Sequence, residues 1–223
     1  MMSENHIENN ENIVITIGIS GVTCGGKTTT AIKLQNILPN TRIISQDDYY
    51  ILDEQDPRHV WIPELNHVNY DILSSLDMNK MYEDVLKAIG KRKRRKKNDS
   101  GIIHVPEDEV QIKIIQEISK KSQESNVSFL IVEGFSIFNY EPLAQVLDMK
   151  YYFILDYAEC MKRRITRVYD PPDCPGYFEK CVWPEHIKQL SEIQSCIKDI
   201  TFFNGNGGEN FIEKILGDIV NNL

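Results

Sequence analysis

No stretch of this sequence approaches the roughly 20 apolar residues that a bilayer-spanning helix needs. The opening MMSENHIENNEN also has no apolar core of the kind a secretory signal carries. Residues 1–12 therefore read as a disordered polar tail. Cysteine is sparse and scattered: Cys24, Cys160, Cys174, Cys181 and Cys196, with no C-x-x-C pair. That set argues against a disulfide framework or a thiolate metal site and fits reduced thiols in the cytoplasm. An overall positive charge is lacking too. There are 25 Lys and Arg against 33 Asp and Glu, and seven of the basic residues form one run, KRKRRKK at 91–97. The rest of the chain is strongly acidic, which disfavours nucleic acid and anionic membranes as partners. The run reads as a solvated loop, with nuclear access or weak polyanion contact as alternatives. The five histidines lack the spacing of a metal site. A monomer is the expected state.

What is present is alternation. Short β-branched runs, IVITIGIS (13–20), TRIIS (41–45), VSFLIVE (127–133) and KYYFIL (150–155), suit strands buried on both faces. A fifth, DITFFNG (199–205), is shorter. Helical patterns lie between them: 27–38, 76–90, 107–125, 158–169, 184–197 and 209–223. The order predicts an α/β fold with a mainly parallel sheet. One domain over 13–223 is expected, with a basic insert at about 90–110 and a lid at about 157–182.

The junction of the first strand and helix reads Gly21-Val22-Thr23-Cys24-Gly25-Gly26-Lys27-Thr28-Thr29. Gly-x-x-x-x-Gly-Lys-Thr after a strand and before a helix is a phosphate-binding loop. Its glycines let main-chain amides approach an anion, and the helix N-terminus adds positive potential. Lys27 is suited to reach outer phosphates, and the Thr28 hydroxyl to ligate Mg²⁺. No N-K-x-D motif accompanies the loop, which argues against a GTPase.

The second strand ends in SQDDYY, and ligands of such sheets bind beyond the strands' carboxyl ends. Strand alternation separates Asp47 from Asp48. One is expected to touch the metal and accept a proton; the other binds substrate or caps a turn. Glu133 ends another buried strand, as a metal-orienting acid does. MKRRITRVY puts Arg163 and Arg167 on one helical face with Arg164 beside them. With DPPDCPGYF following, this reads as a closing lid whose cations meet the transferring phosphoryl group. The acceptor region, Asp47, Asp48, Tyr49, Tyr50, Tyr70 and Asp71, is acidic and aromatic. It suits a neutral or cationic sugar rather than a phosphorylated one.

GVTCGGKTT, ISQDDYY, NYD, IVEGF, KRRITRVYDPPDCPGYF and VWP, in that order, together resemble the nicotinamide riboside kinases from about Ile13 to Pro184. The resemblance implies a nucleoside-kinase-like P-loop fold with a five-stranded parallel sheet and a helical lid. It implies transfer of the ATP γ-phosphoryl group to the 5′-hydroxyl of nicotinamide riboside, with nicotinic acid riboside as second substrate, on a salvage route to NAD. Carried over by position, Asp47 is the base, aided by Lys27 and Glu133, and Thr28 and Asp47 meet the metal. Gly21 to Thr29, Arg163, Arg167, Val168 and Tyr169 fall on the ATP side. Asp47 to Tyr50, Tyr70, Asp71, Arg164, Tyr169 and Asp170 fall on the substrate side, with Tyr70 and Tyr169 as candidates to stack on the nicotinamide. The rival readings are another small-molecule P-loop kinase of uridine or pantothenate type, and a non-catalytic nucleotide-binding adaptor.

Overall fold

The computed structural model of the protein describes residues 13–90, 107–207 and 210–223. The expected polar tail and the 91–97 basic run lie outside the described residues. Five parallel strands form the main sheet: β1 (Ile13–Gly21), β2 (Thr41–Ser45), β5 (Val127–Glu133), β6 (Met149–Ile154) and β7 (Ile200–Asn204). Their order is β2-β5-β1-β6-β7, so β1 is central. A small hairpin, β3 (Trp61–Ile62) and β4 (His67–Val68), stands apart from it. Seven α-helices complete the described fold: α1 (Lys27–Ile37), α2 (Met78–Ile89), α3 (Glu107–Glu124), α4 (Glu141–Val146), α5 (Tyr157–Ile165), α6 (Trp183–Cys196) and α7 (Phe211–Asn222).

The near-continuous apolar strands are explained by burial on both faces. Ile15, Ile17, Ile19, Phe129, Ile131, Tyr151 and Phe153 meet α1, α3 and α7 on one face. Val14, Leu130, Val132 and Tyr152 meet α2, α4 and α6 on the other. Each fully buried Ile or Phe contributes about 1.5–3 kcal/mol. Among the described residues, no helix is long and apolar enough to cross a membrane.

Two expectations about local structure change. The arginine helix does not run to Tyr169; α5 stops at Ile165. Thr166 turns its hydroxyl back onto the Arg163 carbonyl at 2.8 Å, and β-branched Val168 and then Pro171 follow. Arg167 and Tyr169 therefore lie on a loop. The chain after β2 is also not extended: Gln46–Tyr49 form a 3₁₀ turn.

Candidate active site

β1 ends at Gly21, and the loop to α1 curls over the carboxyl edge of the sheet. Gly21 has φ 127°, and a Cβ there would stand 2.2 Å from the Phe153 carbonyl oxygen on β6. Only glycine fits so close to a neighbouring strand. Cys24 is also left-handed, at φ 60°, a conformation that costs a non-glycine residue about 1–3 kcal/mol. Lys27 Nζ donates to the Val22 carbonyl at 2.9 Å. Burial lowers its pKa, and the carboxylates of Glu133 and Asp47 oppose that shift.

Glu133 is 3% exposed and pairs in register with Ser45 across β2 and β5. Both of its carboxylate oxygens accept hydroxyl donors. Thr28 Oγ1 donates to Oε2 at 3.1 Å, and Ser45 Oγ donates to Oε1 at 2.5 Å. The phosphate loop, β2 and β5 therefore meet at one acid.

A cavity of about 510 Å³ opens beside this point, within the usual size of a small-molecule site. Thr23, Cys24, Lys27 and Thr28 of the phosphate loop line it together with Asp47, Tyr50, Glu133 and Phe135. Glu54, His67, Tyr70 and Asp71 line it as well, and Arg164, Arg167, Tyr169, Asp170, Asp173 and Tyr177 come from the 157–182 stretch. Six carboxylates and three cationic side chains share the lining, so the space favours a positively charged guest. Tyr70 is met edge-on by Tyr50, His59 and His67 at ring-centroid distances of 6.0, 5.4 and 5.8 Å. Burial raises the pKa of Asp71, against the opposing pull of Arg164 and Tyr177.

Arg164 is buried and donates Nε and Nη2 to Asp173 at 2.6 and 2.9 Å. Nη1 reaches Thr23 Oγ1 at 3.2 Å, and the guanidinium lies 4.3 Å over the Tyr169 ring. Burial works against its charge, but Asp173 holds the pKa above the usual arginine value. The expected substrate ligand is thus engaged as a clamp between lid loop and phosphate loop. Tyr169 also places its hydroxyl 3.4 Å from Thr23 Oγ1.

Several expected site residues fall elsewhere. Tyr49 turns away: its ring joins the α2-side core, and its hydroxyl donates to Asp84 at 3.2 Å. The 3₁₀ turn, not strand alternation, sends Asp47 into the cavity and leaves Asp48 exposed outside the lining. Arg163 faces the back of the phosphate loop, donating to the carbonyls of Cys24 at 3.3 Å and Gly205 at 3.0 Å. Val168 is 97% exposed, and Thr29 is exposed; neither lines the cavity. Residues not anticipated for the site are Ser45, Phe135, Glu54, His67, Asp173 and Tyr177. Ser45 and Phe135 adjoin motifs already singled out, and Asp173 and Tyr177 lie in DPPDCPGYF. The 51–68 stretch has no periodicity to single out Glu54 or His67.

No protein-family model matches the chain. Nicotinamide riboside kinase 1 of Rattus norvegicus is 37% identical over 193 residues, covering 86% of this chain and 87% of the relative. Nicotinamide riboside kinase 1 of Homo sapiens is 33% identical over 208 residues, covering 93% and 92%. Among solved structures, a sugar kinase from Janibacter sp. HTCC2649 superposes with a TM-score of 0.44 at 13% identity, covering 91% of this chain and 92% of that one.

Proposed function

The chain belongs to the nicotinamide riboside kinase family, and from that premise we propose that it transfers the γ-phosphoryl group of ATP to the 5′-hydroxyl of nicotinamide riboside. The product is nicotinamide mononucleotide, for NAD salvage, and nicotinic acid riboside is the second acceptor. One observation carries this reading: a single cavity is lined by Lys27 and Thr28 together with Asp47, Tyr70 and Asp71.

The mechanism is positioning and electrostatics. Main-chain N–H groups of the Gly21–Thr28 loop and the start of α1 hold the triphosphate. Lys27 exchanges its Val22 carbonyl for an outer phosphate oxygen. Asp47 orients the 5′-hydroxyl and takes its proton as the new O–P bond forms and the bond from the γ-phosphorus to the β–γ bridging oxygen breaks. The transition state is loose, so a carboxylate is a sufficient base. Thr28, Asp47 and Glu133 are hard oxygen donors suited to Mg²⁺, which when bound with the phosphates would neutralise charge there. Tyr70 and Tyr169 flank the nicotinamide ring, and the acidic lining suits its pyridinium charge. The Arg164–Asp173 clamp keeps the lid loop on the phosphate loop and water out.

A panel of nicotinamide riboside, nicotinic acid riboside, uridine and pantothenate, each offered with MgATP, tests the reading. ADP release with a mononucleotide product is expected from the two pyridine ribosides. Preference for uridine or pantothenate would overturn it.

A further inference from the structure

Gln46 stands between Ser45, which grips Glu133, and Asp47, which faces the cavity. It is fully buried. Its amide is used at both ends by one partner. Oε1 accepts the Ser136 backbone N–H at 3.1 Å, and Nε2 donates to Ser136 Oγ at 3.0 Å. Met78 Sδ lies 3.2 Å from the same nitrogen. Ser136 is also fully buried and follows Glu133 by three residues. Between them, Gly134 lies flat against the glutamine: a Cβ there would stand 2.3 Å from Gln46 Cβ and 2.4 Å from Oε1.

A buried amide costs free energy unless fully bonded, and an apolar side chain of this length would fill the same space. Packing alone therefore does not call for glutamine. What the amide adds is direction. It ties the turn bearing Asp47 to the strand exit bearing Glu133, with no slack at Gly134.

We propose that Gln46 is a positioning residue that aims the Asp47 carboxylate at the acceptor hydroxyl by gripping Ser136. The inference rests on the reading of Asp47 as the base. Misplacement of a reacting group by about 1 Å can cost about 100-fold in rate.

The test compares the parent with Gln46→Met, Asp47→Asn and the double variant, using nicotinamide riboside and MgATP. Gln46→Met should lower kcat by about 10–100-fold with the KM for ATP within about twofold. In the Asp47→Asn background the same change should cost less than about twofold, because there is no carboxylate left to aim. Ser136→Ala removes one of the two bonds and should give a smaller loss of kcat with the same dependence on Asp47; if Gln46→Met does not fold, this pair decides. Equal losses in both backgrounds would assign Gln46 a merely structural part and overturn the proposal, as would parental kcat in Gln46→Met. Near-parental turnover in Asp47→Asn alone would instead remove the base assignment, and the inference with it.

Discussion

Asp47 and Asp71 line one cavity in different environments. Asp47 is exposed on its turn, whereas Asp71 is drawn deeper, and burial raises its pKa. Replacing Asp47 by Asn should lower kcat by about 10²–10⁴-fold. ATP affinity should fall far less by calorimetry, since the proposed mechanism gives most of that binding to the loop amides and Lys27. Asp71 makes the opposite trade. A raised folded-state pKa favours the fold below the ordinary value of 3.8, and that contribution is lost as pH rises through the folded value. At neutral pH its charge therefore opposes folding. Asp71→Asn should melt at a higher temperature than the parent at pH 7, and the gap should shrink as pH falls toward 4. Riboside KM should rise in the same variant. Scanning calorimetry across that range, with kinetics at pH 7, checks both.

Among the elements, the 157–182 stretch shows what a pattern can and cannot reveal. Strand limits were legible because a strand buried on both faces must be apolar throughout: 41–45 and 127–133 coincide with β2 and β5. The phosphate loop was legible because its glycines answer to backbone geometry. The end of α5 was not. Arginine spacing continued the helix to Tyr169, but a hydroxyl on a backbone carbonyl and a proline downstream stop it four residues sooner. Tyr49 was misplaced for a related reason, since a 3₁₀ turn replaces the two-residue alternation of a strand. Asp173 was missed because its partner, Arg164, is close only after the loop has folded back. The side chains of Arg164 and Asp173 are 9% and 28% exposed. Asp173→Ala leaves a buried guanidinium short of its bidentate partner. It should cost about 1–3 kcal/mol, a value below that of a fully buried pair because water reaches the carboxylate. The melting temperature should fall by about 2–4 °C per kcal/mol, and limited proteolysis should cut within 166–176 sooner than in the parent.

For the whole molecule, the site joins segments from most of the chain, so a ligand bound there should stabilise the fold as a unit. At 100 times its Kd, MgATP should add about 2.7 kcal/mol, which for this chain length is about 5–10 °C in Tm by differential scanning fluorimetry. The basic run lies outside the described residues, and its part is read from activity. Removing 91–97 should leave kcat/KM for nicotinamide riboside within about twofold, and a larger loss would give the run a part in the site. The sheet order has one more consequence. Among the described residues β2 has no neighbour in the sheet except β5, with Thr41 opposite Phe129 and Ser45 opposite Glu133. During synthesis β2 itself has no strand to pair with until β5 is made, although the turn that follows it can already join Leu76 through Tyr50 and Asp77 through the Tyr49 carbonyl. A nascent chain arrested before β5 would hold every glycine of its phosphate loop and still have no strand beside the one that leads to Asp47.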